Sequence, residues 1–553
     1  MTRSSWVKGE LVSFSTMMDR PLLISDLFEH GRRLYADSRI ITVGEQGDRI
    51  STYAEVGDRV DQLANALTKL GVEREDRVGT FCWNNQEHLE AYFAISSMGA
   101  VMHTLNIRLF PEQLAFIVNH AEDKVIIVDD NLAPLLGQVA KQLETVEHII
   151  VVGEGDDAPL RDAPRATFHR YDDLLAAESP GFDWPTLEER APASMAYTSG
   201  TTGDPKGVVY SHRSTVLHSY GVTSGAVTGL NENDMILAIV PMFHANCWGF
   251  PYAGWWVGSD LLMPSQFLQA EPLVQMIERH RPTLGAGVPT IWTAILHHGE
   301  DRQIDLSSLR LLICGGSAVP ESLMRAYEER YDVTLLQLWG MTETSPVGSI
   351  AAVPKGITGE ERWRYRSRTG RPVAGIELRI VDADGNVLPW DGESVGEIEC
   401  RGPWVTGSYY GVDHAEKFHD GWLCTGDVGF MDERGYAQIT DRAKDVIKSG
   451  GEWISSVELE NTLIAHPEVM EAAVVGVPDE KWDERPLACV VRKQGSVIGP
   501  DELRAYLEGK VAKWWSPERW AFVAEIPKTS VGKFDKKVLR GQHAAGEIEV
   551  LIV

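Results

Sequence analysis

The densest chemistry in the chain lies in twelve residues, Tyr197-Thr198-Ser199-Gly200-Thr201-Thr202-Gly203-Asp204-Pro205-Lys206-Gly207-Val208, which hold four Ser/Thr hydroxyls, three glycines and one lysine. So much Gly and Pro excludes a helix. The stretch reads as a loop between two strands, with Ala193–Tyr197 before it and Val208–Tyr210 after it. Glycine lets a backbone come close to a ligand, and successive N–H groups form an anion-binding concavity. The hydroxyls add donors and Lys206 adds a positive charge, so the chemistry on offer is a polyphosphate cradle. The spacing is not Gly-x-x-x-x-Gly-Lys-Ser/Thr running into a helix. Composition alone would equally suit a turn with a solvated lysine.

Six further stretches carry chemistry. Pro241-Met242-Phe243-His244-Ala245-Asn246 follows a strand and precedes Trp248, Phe250 and Tyr252, a pattern for an apolar pocket beside a histidine. By itself His244 is as readily a buried, satisfied core residue. Gly315-Gly316-Ser317-Ala318-Val319-Pro320 ends a strand, where open α/β sheets bind ligands. Gln337-Leu338-Trp339-Gly340-Met341-Thr342-Glu343-Thr344 combines an aromatic ring, a hydroxyl and a carboxylate. Thr425-Gly426-Asp427-Val428-Gly429 presents one carboxylate, the group that accepts from two adjacent hydroxyls. Two basic, glycine-containing stretches complete the set: Asp441-Arg442-Ala443-Lys444-Asp445-Val446-Ile447-Lys448-Ser449-Gly450-Gly451-Glu452-Trp453-Ile454 and Pro527–Leu539 around Lys533.

In order and content these stretches resemble the adenylate-forming superfamily of acyl-CoA synthetases, adenylation domains of peptide synthetases and luciferases. The resemblance covers residues 20–545. It implies that Thr198, Ser199, Gly200, Thr201, Thr202, Gly203 and Lys206 hold the phosphates of ATP. It implies that Gly316, Gln337, Leu338, Trp339, Gly340 and Thr342 bind the nucleotide, with the aromatic ring on adenine. The family usually has Tyr where Trp339 stands. Stacking survives that change; a phenol's hydrogen bond does not. Glu343, with Thr198, would hold Mg²⁺, which takes few protein carboxylates and several substrate oxygens. Asp427 matches the ribose ligand, Arg442 a residue near ribose and phosphate, and Lys444 one reaching the substrate side. His244, Ala245, Trp248, Gly315 and Gly316 match the acyl pocket. Lys448, Gly450 and Gly451 match the segment facing the site when thioester forms, and Asp441 matches a hinge. Trp453 is open between a core position and a gate to the acyl tunnel. Lys533 matches the adenylating lysine, whose ammonium neutralises charge on the carboxylate and α-phosphate as they react.

The implied reaction has two steps: a carboxylate displaces pyrophosphate from ATP to give an acyl-adenylate, then coenzyme A displaces AMP. No protein nucleophile is required. Met17-Met18-Asp19, His88–Phe93 and Ser449–Ile454 look most like bacterial medium- and long-chain fatty acyl-CoA synthetases, and residues 244–254 hold no charged partner for a polar tail apart from His244. An aryl or heteroaryl acid–CoA ligase stands as the alternative, as does an amide synthetase that dispenses with CoA. A luciferase-type oxygenase shares the motifs. A non-catalytic AMP or acyl sensor would dispense with Lys533 or Glu343, and both are present.

Positioning these residues takes a layered α/β domain. Ser51 or Thr52 with Glu55 caps a helix carrying Val56, Val60, Leu63, Leu67 and Leu70 at helical spacing. Strands 76–82, 101–105, 124–128 and 148–152 alternate with helices 88–99, 111–120 and 132–143, which implies largely parallel pairing. Residues 153–190 read as a surface connection with one short helix near 172–177. A helix is expected over 212–223, a strand over 234–240, a βα pair over 258–281, and strands over 283–288, 309–314 and 334–336. Past residue 370 clean alternation in Ile376–Val381 and Gly396–Arg401 predicts antiparallel hairpins in a small distorted β-barrel. The chain is therefore expected to divide into a large domain, residues 1–440, and a small mobile α+β lid, residues 441–553.

Bulk properties agree. At 553 residues the chain exceeds what one core supports. Its net charge of −28 argues against a nucleic-acid partner, so cations must be gathered locally. No apolar run suits a membrane span, Met1–Glu10 lacks a signal peptide's apolar core, and the six cysteines form no C-x-x-C pair. The expectation is a cytoplasmic enzyme with reduced core thiols. A homodimer is left open.

Overall fold

In a computed structural model the chain is described over residues 16–198, 205–412, 414–449, 452–479, 481–529 and 533–553. Among the described residues the strands form four sheets. One orders Thr167–Arg170, His148–Val152, Asp123–Asp129, Arg77–Phe81, Val101–Thr104, Pro192–Tyr197 and Gly207–Ser211 side by side, parallel except for the last pair. The longest has Thr334–Gly340, Leu311–Gly315, Leu284–Gly287, Met235–Ala238 and Asp260–Met263 as its parallel centre, with antiparallel edges.

Alternation along these strands creates the layers. Val125 and Ile127 face a core that also holds Ile236, Leu261 and Ile313 of the longer sheet, while Ile126 and Val128 face a separate cluster. The helices between the two sheets bury their apolar side chains against both. Gln86–Met98 is buried at every position, as expected of an inner helix. The rings of Tyr53 and Trp255 stack there at 4.0 Å. Helices Ala270–His280 and Glu321–Tyr331 cover the outer face of the longer sheet.

The predicted capping pattern is present at Thr52: its hydroxyl accepts from Glu55 N at 3.2 Å and its N–H donates to Glu55 Oε2 at 2.8 Å. The helix expected over 132–143 is instead broken into Asp130–Leu132, Ala133–Gly137 and Ala140–Gln142. Pro134 sets a helix start, and Gly137 packs so tightly on Pro159 that a Cβ would lie 2.7 Å from its carbonyl oxygen. The connection 153–190 contains a strand not expected from sequence, Thr167–Arg170, at a sheet edge. Arg39–Thr42 and Arg49–Thr52, strands not expected from sequence, extend the longer sheet.

Past residue 370 the pairing is antiparallel. Glu377–Val381, Gly396–Arg401, Trp422–Met431, Phe418–His419 and Ala437–Arg442 form the small barrel-like sheet. The fourth sheet uses residues from Ile447 onward and has its own apolar clusters, so the small C-terminal domain is α+β. No helix among the described residues is long and apolar enough to cross a membrane.

Candidate functional site

Strand Thr334–Gly340 delivers Trp339 and Gly340 to the rim of the longer sheet. A Cβ on Gly340 would collide with the carbonyl of Pro346, so only glycine fits at the turn. The next turn, Thr342–Thr344, aims Glu343 inward. The Tyr409 hydroxyl donates to Glu343 Oε1 at 2.8 Å, Thr406 N donates to the Glu343 carbonyl at 2.8 Å, and the Tyr210 hydroxyl donates to the Thr342 carbonyl at 2.8 Å. Burial, then the Glu343 carboxylate, pushes the Tyr409 phenol well above its usual pKa, so it stays a donor. The Lys206 ammonium lies 5.1 Å from the centre of the Tyr409 ring, a cation–π contact. Tyr409 thus joins the lysine of the hydroxyl-rich loop to the glutamate. Sequence reasoning missed both tyrosines, since neither lies in a glycine-rich or charged motif; the one signal was Tyr409-Tyr410 after Gly407-Ser408.

The hydroxyl-rich loop is closed at its base. Thr198 N donates to the Lys206 carbonyl at 2.9 Å, and Lys206 N donates to Thr198 Oγ1 at 3.2 Å. The expectations for Ser199, Gly200, Thr201, Thr202, Gly203, Gly450 and Gly451 fall outside the described residues. So does the side-chain expectation for Trp453, whose backbone is in strand Glu452–Ile454.

Opposite Glu343, Asp427 lies on strand Trp422–Met431, paired in register with Arg442. Arg442 Nε donates to Asp427 Oδ1 at 2.8 Å, and Trp339 Nε1 donates to Asp427 Oδ2 at 2.8 Å. Trp339 has no phenol to bond with, and its indole N–H supplies a tether of its own, to Asp427. Gln337 accepts from Val319 N at 2.9 Å, so its side chain holds the turn after strand Leu311–Gly315. Gly316 in that turn has φ +86°, a left-handed conformation that favours glycine.

The acyl side has an unusual backbone. Ala245, Asn246, Cys247 and Trp248 have φ of 42°, 52°, 51° and 54°. Left-handed residues cost about 1–2 kcal/mol each, so this turn persists only because packing holds it. Asn246 Nδ2 donates to Ser194 Oγ at 3.1 Å, and Trp248 is 5 % exposed. The Trp248 ring reaches over Gly315, where a Cβ would lie 3.3 Å from it. Burial, then the charges of Lys533 and Arg108, holds His244 down to about 3, so it is a neutral hydrogen-bonding group.

Lys533 enters the same cleft. A Cβ on Gly316 would lie 3.6 Å from Lys533 Cε. Burial, then Arg442, lowers the Lys533 ammonium to about 8, against the pull of Asp427 and Glu343. A chain of net charge −28 therefore gathers Lys206, Arg442 and Lys533 around Glu343 and Asp427.

Asp441 lies just outside the cleft. Ser456 N and Oγ donate to its Oδ2 at 2.8 and 2.5 Å, and Lys536 Nζ donates to Ser456 Oγ at 2.6 Å. Lys444 lines a cleft of about 290 Å³ with Asp535 and Arg540, near enough to Arg442 and Lys533 for their charges to act on one another, and Lys448 is exposed on strand Ile447–Ser449.

Glu343 fits magnesium. It is a hard oxygen donor with one oxygen held by Tyr409, and among the described residues no cluster of three or more His, Cys, Asp or Glu could cage a metal by protein groups alone. A single carboxylate completed by substrate oxygens suits that ion.

Comparison with known proteins matches residues 28–410 to the family described as AMP-binding enzyme, and residues 458–533 to the AMP-binding enzyme C-terminal domain. A 3-methylmercaptopropionyl-CoA ligase of Ruegeria pomeroyi is 44 % identical over 530 residues, 95 % of this chain and 98 % of that protein. A long-chain-fatty-acid–CoA ligase of Thermus thermophilus is 44 % identical over 537 residues, 96 % of this chain and 97 % of that protein. A crystal structure of the anthranilate CoA ligase AuaEII with anthranoyl-AMP superposes with a TM-score of 0.86 at 29 % identity, covering 96 % of this chain and 99 % of that one.

Proposed function

This chain belongs to the AMP-binding enzyme family and is an AMP-forming acid–CoA ligase using ATP, Mg²⁺ and CoA, and we propose that its acid carries an uncharged, unbranched aliphatic tail, in the first place that of a medium- or long-chain fatty acid. The observation that carries the reading is the convergence of Lys533, His244, Gly316, Glu343 and Asp427 in one cleft. Such a cleft brings a carboxylate and a nucleotide together with their charges matched.

In the first step the acid lies against Gly315 and Gly316 with its carboxylate near Lys533. That ammonium screens the negative charge on the carboxylate and the α-phosphate as the acyl–phosphate bond forms and pyrophosphate leaves. Neutral His244 orients the acid by hydrogen bonding. Thr198 and Lys206 hold the leaving phosphates at the base of their loop, and Asp427 holds the ribose. Glu343, with Thr198, would hold magnesium, which supplies neutralisation of phosphate charge; Tyr409 fixes the carboxylate for it. In the second step the small domain, taken as 441–553, turns about Asp441. Lys533 withdraws, and the segment with Lys448 lines the path by which the CoA thiolate displaces AMP.

The acid's identity turns on the pocket behind His244. Trp248, Phe250 and Tyr252, which follow His244, are buried and carry no charge, which supports an aliphatic tail. A second reading, a short thioether acid such as 3-methylmercaptopropionate, is favoured by the buried Trp248 ring over Gly315, which shortens the pocket, and by the Ruegeria relative. Pyrophosphate release measured over a panel of acids of increasing length, with and without CoA, tests both readings. Turnover peaking at about eight or more carbons supports the first and a peak at short thioether acids supports the second; no release with any acid rejects both.

A further inference from the structure

We propose that Trp339 is a positioning residue whose indole N–H aims the Asp427 carboxylate at the ribose of the nucleotide. The proposal rests on the reading of the cleft as a nucleotide site.

A carboxylate offers about four acceptor positions, two on each oxygen. Asp427 uses one of Oδ1 for Arg442 Nε and one of Oδ2 for Trp339 Nε1, both at 2.8 Å. One position remains on each oxygen, matching two adjacent ribose hydroxyls. The two protein donors fix the plane of the carboxylate, so the pair of free positions points one way. Asp427 is 2 % exposed and Trp339 9 %, so neither tether competes freely with water.

The indole is itself held. Its six-membered ring lies over Gly348, where any Cβ would collide with Trp339 Cζ3. Gly348 is on strand Val347–Ile350, antiparallel to the strand of Trp339, with a register shift between Trp339 and Gly340. The missing side chain at 348 gives the larger ring its room and sets the direction of its N–H.

The two tethers also differ in what carries them. Trp339 belongs to the longest sheet, whereas Arg442 directly follows Asp441. Arg442 closes strand Ala437–Arg442, which pairs with the strand of Asp427, so a rotation beginning at Asp441 acts on the Arg442 tether and leaves the Trp339 tether untouched. The indole is therefore the tether of Asp427 that does not depend on the hinge.

Calorimetric binding of AMP, 2′-deoxy-AMP and 3′-deoxy-AMP to the full chain and to Trp339→Phe tests this. The wild type should prefer AMP over each deoxy nucleotide by about tenfold, and Trp339→Phe should weaken AMP about tenfold while cutting the preference to about twofold. Equal weakening of all three ligands would assign the loss to stacking and overturn the proposal, as would unchanged affinities. Absence of AMP binding by the wild type would instead sink the nucleotide reading. Should Trp339→Phe not fold, Asp427→Asn provides the reciprocal test: the Trp339 indole N–H resonance should move upfield, and an unmoved resonance rejects the hydrogen bond.

Discussion

Glu343, Trp339 and Asp427 sit on strands or on the turn directly after one, each with a side-chain partner at 2.8 Å from another segment of the large domain. Lys533, Lys444 and Lys448 are carried differently. Lys533 N donates to Thr529 Oγ1 at 3.2 Å, and the other two are exposed on the C-terminal part of the chain. On the proposed mechanism, the groups that hold the nucleotide through both steps are built into sheets. The group needed for one step alone would then be carried by the small domain, where it could arrive and leave without disturbing the pocket. A strand-borne cation would be as well placed for the first step and would obstruct the second.

The largest effect should come from the small-domain side. Lys533→Ala should slow carboxylate-dependent pyrophosphate exchange by about 10²–10³-fold, while thioester formation from supplied acyl-adenylate stays within about twofold. Equal loss of both steps would erase the contrast between the two regions. Asp441→Pro should next slow the thioester step by about tenfold or more with adenylation largely kept, because a fixed φ opposes rotation there; rapid-quench measurement of each half-reaction decides.

On the sheet-borne side, Tyr409→Phe removes the donor to Glu343 and should raise the magnesium concentration at half-maximal exchange by about tenfold, the lower end for one hydrogen bond to a charged group. A pH profile sharpens the comparison further. Lys533 titrates near 8, so adenylation should fall as pH rises through that value and the ammonium is lost, while His244, held near 3, contributes no limb between pH 5 and 9. The thioester step from supplied adenylate should lack the alkaline limb. The smallest effect on overall rate belongs to Trp248→Ala, which should lengthen the preferred acyl chain with little loss on the best substrate; an unchanged length profile would remove Trp248 from the pocket.

Local order was written in the chain. The Thr52–Glu55 cap, the parallel strands and the hairpins past residue 370 all follow from periodicity and turn residues, which act within a few positions. The loop from Thr198 to Lys206 and the turns at Gly316 and Gly340 announce themselves because close backbone approach demands specific residues at specific spacing. Tyr409, Tyr210 and the Trp339–Asp427 bond were not legible, because their partners lie 66, 132 and 88 residues away and only the packing of separate sheets brings them together. The short strands Arg39–Thr42 and Thr167–Arg170 were hidden for the same reason: a short segment becomes a strand when a sheet offers it unpaired backbone groups. The kinds of chemistry were thus set by the order of residues, whereas which side chain aims which carboxylate was decided by the tertiary structure, since hydrogen bonds depend on distance and angle rather than on separation along the chain.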